Sequence, residues 1–567
     1  MPQTSLNING KAGIENTYDA IVVGSGISGG WAAKELCERG LKTLLIERGR
    51  NVEHVKDYPT ATLDPWQIPH AGRLTEADRK TFPIQTRHYS INGEDKHFYV
   101  KDLENKYVEV QRYDWVRADV LGGRSLLWAR MCFRWSDLDF GANAKDGHGT
   151  DWPIRYRDIA PWYEYVERFV GVSGQAEGLP HLPDSNFLPP MEMTCVESHV
   201  KSELEKKFPG RILTIGRTAN LTRRIGDRGP CQYRNLCHRG CPFSGYFSTN
   251  SATLPAAMKT GKLTVLTDAL VNRVLLDKDQ RRATGVELLD RNTGKTYTYH
   301  ARLVSLNAST LGTTFLLLNS KSDAFPNGIG NNHDMVGRHL MDHHKDGNVS
   351  GEIEGFTDKY YFGRRPTGTY IPRFRNLGDD KLPFVRGYGM QCYTGRGRGD
   401  GTQGIGADFK EGLTELGGWS IGLGIFGETL SYAENRVSLD PKETDKFGRP
   451  SLRIDAAFRN NEKAMRLDAI EQGKEMLEKI GAKNVKHEGE MSFPGNANHE
   501  MGTARMGLDP KTSVLNKWNQ VHEIPNLLAT DGSCMASTSC VNPSLTYMAL
   551  TARAVDHAVA ELRKGNI

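Results

Sequence analysis

A glycine turn followed by an acidic residue is the clearest chemical signal in the sequence. Gly24, Gly26 and Gly29 lie in the segment GSGISGG, and Glu47 follows Gly24 by 23 residues. Glycines permit a tight turn that brings a pyrophosphate against the backbone, and a helix starting there offers free N–H groups and a positive dipole end. A carboxylate closing the next strand can accept hydrogen bonds from ribose hydroxyls. This spacing predicts a dinucleotide site, without distinguishing NAD from FAD.

Three closely spaced cysteines are the second signal in the sequence. Cys231, Cys237 and Cys241 fall within eleven residues of a polar segment. Thiolates bind soft metals and iron–sulfur clusters, and three ligands without a nearby fourth fit a [3Fe–4S] cluster. Two alternatives stay open: a structural zinc that takes His238 or Cys195 as its fourth ligand, and thiols that bind no metal.

A third group lies near the C-terminus. His499 belongs to a polar, glycine-punctuated segment (498–507) that we expect to be a loop. Histidine has a pKa near the working pH, which suits a general base, although a solvated loop histidine is the alternative interpretation. Asn542 precedes Pro543 and a helix that should run to about Arg563. Since asparagine is a good N-cap and proline fits the first helical position, Asn542 is expected to cap this helix.

The elements around the glycine turn must hold it in place. An apolar run over 19–23 (DAIVV) has the pattern of a strand buried on both faces, and WAAKELCERG over 31–40 has the apolar spacing of a helix. A second strand, KTLLIE over 42–47, ends at Glu47. A glycine turn alone is a weak indication, but strand, turn, helix, strand and acid in this order predict a Rossmann-like unit.

The middle of the chain predicts a second, strand-rich part. Residues 263–290 contain two alternating strands, and 351–425 are rich in Gly, Tyr, Phe and Arg with period-2 stretches that indicate an antiparallel sheet. An amphipathic helix over 461–481 follows, and 526–532 has the pattern of another buried strand. We therefore expect an α/β fold in which a Rossmann-like domain is interleaved with an α+β domain built on an antiparallel sheet.

Composition excludes several classes of protein. Glycine makes up 60 of the 567 residues but follows no G-X-Y period, which excludes collagen. The net charge of +5 comes without a long basic block, so nucleic acid binding is not expected. Nine cysteines are too few for a secreted disulfide scaffold. No apolar run of about 18 residues predicts a membrane-spanning helix, and the first residues show no signal peptide.

Several motifs, in this order along the chain, resemble the glucose–methanol–choline (GMC) oxidoreductase family. Besides the Gly24–Glu47 unit and the tail from His499 to Val559, they are Gly122-Gly123-Arg124-Ser125, Asp151-Trp152-Pro153 with Tyr156, Gly337–His343, and Asn435-Arg436-Val437 with Asp440. They span nearly the whole chain. Within the family, the chain resembles the large subunits of FAD-dependent sugar dehydrogenases, in particular those of glucoside 3-dehydrogenases.

The resemblance implies that the nucleotide is FAD, bound noncovalently because residues 125–128 contain no histidine for covalent attachment. The glycine turn would hold the pyrophosphate, Glu47 the adenosine ribose, and Val271 would lie by the adenine. The residues implied around the flavin are Gly122, Gly123, Ser125, Asp531, Gly532 and Asn542. The implied FAD-binding domain covers 15–140, 211–340 and 500–567, with a cysteine-rich loop at 225–245, and the substrate-binding domain covers 141–210 and 341–499.

The same resemblance implies a reaction. His499 falls on the family's active-site histidine, and Asn542 on the second member of the catalytic pair. Oxidising a secondary alcohol needs a base for the hydroxyl proton and an acceptor for the hydride, which suits a histidine beside a flavin. The expected activity is oxidation of a secondary hydroxyl of a sugar or glycoside, with C3 of glucosides, giving 3-ketoglucosides, as the best candidate. Electrons would leave through the iron–sulfur cluster to a cytochrome or quinone.

Partners and location follow from that activity. A small subunit is expected, and export together with this signal-bearing subunit would place the chain in the periplasm; a cytoplasmic location is the alternative. Three other functions stay open: a pyranose-type oxidase that uses oxygen, a flavin-bearing lyase of the same family, and an NAD-dependent enzyme.

Overall fold

The computed structural model describes residues 11–361, 363, 365–378, 380–398 and 405–567. The strands in these ranges are, in chain order, β1 Thr17–Val23, β2 Thr43–Ile46, β3 Val108–Glu109, β4 Thr214–Ile215, β5 Leu263–Leu266, β6 Ala269–Leu276, β7 Ala283–Asp290, β8 Thr296–Leu306, β9 His344–Ile353, β10 Thr369–Ile371, β11 Tyr388–Arg398, β12 Leu416–Gly427, β13 Arg436–Thr444, β14 Pro450–Asp455, β15 Lys483–His487, β16 Gln520–Val521 and β17 Ile524–Ala529.

The α-helices of the same ranges vary from one turn to about six turns in length. They are α1 Ile27–Glu38, α2 Glu76–Thr81, α3 Asp137–Phe140, α4 Ala142–Asp146, α5 Tyr156–Val170, α6 Cys195–Lys207, α7 Leu254–Lys259, α8 Thr310–Asn319, α9 Ala407–Gly412, α10 Asn460–Lys479 and α11 Ser544–Lys564. None of the helices in the described ranges combines the length and the apolar character that crossing a bilayer requires.

The first sheet is the predicted Rossmann-like unit. Strands β17, β8, β1, β2 and β5 lie side by side and parallel, with β16 on one edge. β1 and β2 are apolar runs buried on both faces, as strands of a covered parallel sheet must be. Ala32 and Leu36 of α1 pack with Val555 and Val559 of α11 in one apolar cluster on this sheet. The predicted nucleotide-binding fold is confirmed.

One prediction for this sheet needed a correction. Residues 263–276 form two strands where the sequence predicted one, because the backbone turns at Asp268, which adopts a left-handed conformation (φ 54°). β5 therefore joins the parallel sheet, whereas β6 pairs antiparallel with β7, and β7 with β8. This arrangement brings Val271 of β6 to the edge of the sheet where the carboxyl ends of the strands lie.

The second sheet is antiparallel throughout, in the order β15-β9-β12-β11-β10-β4. It contains the strands predicted within 351–425. It also includes β4 (214–215), which comes from the segment 211–340 that the sequence assigned to the FAD-binding domain. Helices α6 and α10 cover one face: Val200 and Met465 pack there against Met390 and Leu423 of the sheet. A small third sheet pairs β14 with β13 and β3. The predicted α+β character of this part is confirmed, while the domain boundaries stay a prediction.

Candidate active site

A cavity of about 540 Å³ is lined by residues from both large sheets. The carboxyl ends of the parallel strands open into it, where open α/β sheets bind their ligands. Eleven of the predicted site residues lie on its wall: Gly24, Gly26, Glu47, Gly123, Ser125, Val271, Cys237, His499, Asp531, Gly532 and Asn542. The remaining predicted residues, Gly29, Gly122, Cys231 and Cys241, do not contribute to the wall within the described structure.

The glycines of the turn do different things. Gly24 follows β1 with φ 95°, and a Cβ there would lie 2.2 Å from the Asn307 carbonyl oxygen. A Cβ on Gly29 would lie 1.8 Å from the Gly24 oxygen, so Gly29 lets α1 pack against the turn. A Cβ on Gly26 would instead meet no atom within 4 Å. Gly26 therefore leaves free space at the point where α1 begins.

Glu47 fastens the turn from the end of β2. Its Oε2 accepts hydrogen bonds from the Ser25 N–H at 3.0 Å and from the Ser25 hydroxyl at 2.5 Å, and its Oε1 accepts from the Gly49 N–H at 2.8 Å. Burial raises the pKa of this carboxyl above its ordinary value, and these three hydrogen bonds oppose the shift. Glu47 thus orders the turn as well as lining the cavity.

A second glycine segment interlocks with the first. Gly122 and Gly123 have positive φ angles of 94° and 52°. The Gly122 N–H donates to the Ser25 hydroxyl oxygen at 2.8 Å, and the Ser125 hydroxyl donates to the Gly122 carbonyl at 2.6 Å. A Cβ on Gly122 would lie 1.7 Å from Oδ1 of Asn250, so this glycine serves close packing, whereas Gly123 borders the cavity.

These features fit a bound dinucleotide. Helix α1 has twelve residues and no side-chain cap, so the N–H groups of its first three residues, Ile27, Ser28 and Gly29, have no intrahelical or capping partner. Their positive dipole end faces the free space beside Gly26, which suits a pyrophosphate. The cavity continues from there past Val271 on one side and past Gly123 and Ser125 on the other.

The other end of the cavity holds the predicted catalytic pair. Nε2 of His499 lies 3.5 Å from Nδ2 of Asn542, and Nδ1 of His499 lies 3.2 Å from Nδ1 of His343. Phe426 packs against both imidazole rings, with centroid distances of 4.5 Å to His343 and 5.5 Å to His499. The Asn542 Oδ1 accepts a hydrogen bond from Nε2 of Gln391 at 3.1 Å. His499 and Asn542 therefore come together although 43 residues separate them.

The prediction that Asn542 caps the last helix is wrong. Helix α11 begins at Ser544 after Pro543, and no side chain caps it. The amide of Asn542 is instead bonded to Gln391 and directed to His499, so it cannot also turn back onto the helix N–H groups. The N-terminus of α11, which no side chain caps, lies next to the cavity because its first residue, Ser544, lines the wall.

Asp342 anchors the loop that carries His499. Its Oδ1 accepts from the His499 N–H at 3.0 Å, and its Oδ2 accepts from the N–H groups of Gly495 at 2.8 Å and Ala497 at 3.1 Å. Burial, with a smaller contribution from Glu500, raises the pKa of Asp342 to about 7, against the effect of these hydrogen bonds. This carboxylate is directed at backbone groups and not at the imidazole.

An ion pair ties the same loop to the second glycine segment. The guanidinium of Arg124 binds Glu500 through two hydrogen bonds, at 3.1 and 2.6 Å, and also donates to the Asn498 carbonyl at 3.2 Å. Such bidentate pairs fix geometry as well as adding energy. His499 is consequently held close to Gly123 and Ser125, where a flavin is expected.

The electrostatic surroundings keep His499 neutral. Burial lowers its pKa well below the ordinary value, and the neighbouring His343, Lys345 and Arg124 add to this effect. A neutral imidazole near pH 7 has one bare nitrogen that can take a proton. Lys345 lines this end of the cavity and donates to the Tyr89 hydroxyl at 3.3 Å.

The cysteine loop borders the cavity from another side. Cys231, Cys237 and Cys241 are all half-buried. The Tyr233 N–H donates to Sγ of Cys231 at 3.4 Å, and the Gly245 N–H donates to Sγ of Cys241 at 3.3 Å. Burial raises the pKa of Cys231 to about 11, and the other two thiols add to the shift. In the described part of the chain, no three Cys, His or acidic side chains are arranged to hold a metal, so the predicted cluster stays a prediction.

Four residues of the site were missed by sequence reasoning. Asp342 and His343 belong to the segment Gly337–His343, which carried the family resemblance without a role for either residue. Gln391 and Phe426 lie on β11 and β12 of the predicted antiparallel sheet. Their period-2 pattern indicated strands but gave no signal of which residue faces a cavity.

Comparisons with known proteins agree with this geometry. Residues 18–345 and 431–551 match two family models described as GMC oxidoreductase. The chain is 29% identical to 2-methyl-1,2-propanediol dehydrogenase from Mycolicibacterium austroafricanum, over 95% of this chain and 94% of the relative. It is 26% identical to the fructose dehydrogenase large subunit from Gluconobacter japonicus, over 96% and 98%. The crystal structure of pyridoxine 4-oxidase from Mesorbium loti superposes with a TM-score of 0.58 at 17% identity, covering 96% and 99% of the chains, which supports the fold.

Proposed function

The chain belongs to the GMC oxidoreductase family, and on this premise we propose that it oxidises a secondary hydroxyl of a sugar or glycoside. Proteins of this family bind FAD, and the relatives are dehydrogenases and oxidases of CH–OH groups in alcohols and sugars. The best candidate position is C3 of a glucoside, which would give a 3-ketoglucoside. The assignment to C3 rests on the family resemblance.

One observation carries the proposal: the half-buried, neutral imidazole of His499 and the amide of Asn542 face the same cavity as the glycine turn, which has free space beside Gly26. Nε2 of His499 is placed to take the proton of a substrate hydroxyl, and Nδ2 of Asn542 can donate to the same oxygen. Gln391 holds that amide in place through its hydrogen bond to Oδ1. Amides and an aromatic face such as Phe426 suit the hydroxyls and apolar faces of a sugar ring.

The residues that would hold FAD are those of the nucleotide end and its continuation. Gly24, Gly26 and the N-terminus of α1 would contact the pyrophosphate, and Glu47 the ribose. Gly123, Ser125 and Gly532 would contact the isoalloxazine. When bound, FAD supplies the hydride acceptor that alcohol oxidation requires.

We propose further that electrons leave through the cysteine loop to a cytochrome or quinone. The position of Cys237 on the cavity wall supports this route, as do the N–H groups donated to the sulfur atoms of Cys231 and Cys241. The three thiols would have to approach one another to ligate a [3Fe–4S] cluster. Two relatives are named as the large subunit or the flavoprotein of a dehydrogenase, which supports a small subunit as partner. We propose a periplasmic location by co-export with that subunit.

Anaerobic reduction of the bound flavin tests the reaction. Glucose, a methyl glucoside, gluconate and fructose are mixed separately with the holoenzyme, and bleaching of the flavin absorbance is followed by stopped flow. The oxidised carbon of each product is then identified by NMR. We expect fastest bleaching with the glucoside and a ketone at C3.

Three results would contradict parts of this proposal. Oxidation at C1, C2 or C5 would refute the position but keep the sugar dehydrogenase, and no bleaching with any sugar would favour a lyase. Peroxide formed in stoichiometric amounts under air would identify oxygen as the acceptor.

Metal content tests the electron route. Protein purified anaerobically should be brown and contain roughly three irons per chain. Cys237→Ser should lose the iron, whereas Cys195→Ser should keep it. Loss of bound zinc in both variants would instead identify a zinc site that includes Cys195, and a yellow, metal-free protein would refute the cluster.

A further inference from the structure

The fully buried His343 contacts the half-buried His499 at the catalytic end of the cavity. The rings of His343 and His499 are nearly perpendicular, at 83°, with 5.1 Å between their centroids. Their Nδ1 atoms are 3.2 Å apart, so one nitrogen must carry the proton that the other accepts. The hydrogen-bond partner of Nε2, the other ring nitrogen of His343, decides which of the two Nδ1 atoms is protonated.

That partner is a backbone carbonyl. Nε2 of His343 is hydrogen-bonded to the carbonyl oxygen of Ser539. A carbonyl oxygen only accepts, so Nε2 of His343 must be the protonated nitrogen. Burial lowers the pKa of His343 to about 3, so the ring is neutral near pH 7 and its Nδ1 is bare.

The bare Nδ1 of His343 then fixes the proton on His499. It can only accept, so the Nδ1 of His499 must donate, and the Nε2 of a neutral His499 is left without a proton. The amide of Asn542 agrees with this assignment, because its Oδ1 accepts from Gln391 and its NH₂ group therefore faces the His499 Nε2. From the Ser539 carbonyl through His343, His499 and Asn542 to Gln391, each hydrogen bond therefore joins one donor and one acceptor.

We propose that His343 is a positioning residue, anchored on the Ser539 carbonyl, which holds His499 in the tautomer whose bare Nε2 faces the substrate hydroxyl. A hydrogen bond to one imidazole nitrogen commonly selects the tautomer in this way, but the usual partner is a carboxylate or a carbonyl. Here the partner is a neutral imidazole, so the base is oriented without a negative charge beside it. The proposal rests on the role of His499 in the proposed function.

Charged groups around His499 are consistent with a neutral partner. Lys345 and Arg124 both lower its pKa, and Arg124 is already paired with Glu500. The carboxylate of Asp342 accepts the backbone N–H of His499 and does not contact its ring. After proton transfer the imidazolium would thus lack a carboxylate neighbour on its ring, which favours passing the proton on.

¹⁵N NMR of the holoenzyme with labelled histidine tests the tautomer directly. A bare imidazole nitrogen resonates far downfield of a protonated one, and loss of the His499 signals in His499→Gln assigns them. We expect Nδ1 protonated and Nε2 bare in His499, with the reverse pattern in His343. A protonated Nε2 in His499 at neutral pH would overturn the proposal without any variant of His343.

The kinetic test compares two adjacent buried histidines. His343→Phe keeps a ring beside Phe426 but removes the acceptor, so kcat should fall about ten- to hundredfold, the usual effect of losing an outer orienting partner, with KM little changed. His344→Phe is the matched control, because His344 contacts Met465 and Phe458 instead of His499. The His499 spectrum should become a mixture of tautomers in the first variant only.

The outcomes separate this proposal from the proposed function. Wild-type kcat and an unchanged His499 spectrum in His343→Phe would refute the positioning role. A wild-type protein that shows the expected ¹⁵N pattern but oxidises no alcohol would refute the proposed function and leave the histidine assignment supported.

Discussion

The two ends of the cavity bind by different chemistry. At the nucleotide end, backbone N–H groups and a buried carboxylate predominate: Glu47 accepts three hydrogen bonds, two from Ser25 and one from Gly49. At the alcohol end the groups proposed to contact the reacting hydroxyl are neutral, namely the imidazole of His499 and the amide of Asn542, which Gln391 holds in place; Lys345 also lines the cavity there. The carboxylates there, Asp342 and Glu500, are turned to backbone N–H groups and to an arginine.

This difference follows from what each end must do. A pyrophosphate needs fixed N–H donors, which a glycine turn and a helix N-terminus supply without side chains. A base for a hydroxyl must be bare and must not be held as a cation by a carboxylate, since protonation would inactivate it. The two ends should therefore respond to mutation independently: changes at the alcohol end should affect rate, and changes at the nucleotide end should affect cofactor affinity.

The largest effect is expected for His499→Ala. Loss of a general base typically lowers the rate about 10²- to 10⁴-fold, so anaerobic flavin reduction by substrate should slow by that factor. FAD content, measured by absorbance after gel filtration, should not change, because the turn at Gly24 and Gly26 is intact. Flavin reduction at the wild-type rate would refute the role of His499, and loss of FAD would show that the two ends are not independent.

Gly26→Ala, at the nucleotide end, should lower the affinity for FAD. The added Cβ meets no protein atom within 4 Å, so the apo protein should fold with an unchanged Tm. It would occupy the free space where we expect the pyrophosphate, and FAD should bind at least about tenfold more weakly, which is about 1.4 kcal/mol. Gly395→Ala is a matched control, since its Cβ also meets nothing within 4 Å and lies away from the cavity. Equal FAD affinity in both variants would place the pyrophosphate elsewhere.

The same contrast explains how much could be predicted from the sequence. The nucleotide end is local: β1, the turn, α1, β2 and Glu47 are contiguous, and each has a pattern set by its own residues. The alcohol end combines the segments 342–343, 391, 426, 499 and 539–542, which only the folded sheets bring together. His499 and Asn542 were found through family resemblance. His343 lay in a motif of that resemblance but had no assigned role, and Gln391 had no signal, because hydrogen bonds between distant side chains leave no spacing in the sequence. The cap prediction for Asn542 failed since a local propensity was overridden by this tertiary bond.

Glu47→Gln should produce a smaller effect at the nucleotide end. Its amide would turn one N–H donor toward the Ser25 or Gly49 N–H, which costs a hydrogen bond in the turn. FAD affinity should drop about fivefold, roughly 1 kcal/mol, as measured by titrating the apo protein. Glu471→Gln, at an exposed position of α10, controls for the loss of charge. A change in the pH profile of the reaction would contradict the independence of the two ends.

The smallest effect concerns pH and depends on the sign of one pKa shift. Because burial and neighbouring cations lower the pKa of His499, its active neutral form should persist as pH falls through 6.5, where an ordinary histidine would be half protonated. With a neutral glycoside, the titration of His499 should therefore contribute no acid limb to kcat/KM between roughly pH 6 and pH 8. A limb near pH 7 would instead report Asp342, whose pKa is raised to about 7. Lys345→Met removes one of those cations, so the pKa should rise and the acid limb should move to higher pH. An acid limb centred near 6.5 in the wild-type protein that moves to higher pH in Lys345→Met would belong to His499 and show that the base is not held neutral, and a limb that moves to lower pH would contradict the sign of the shift. A limb that the variant leaves in place would belong to Asp342.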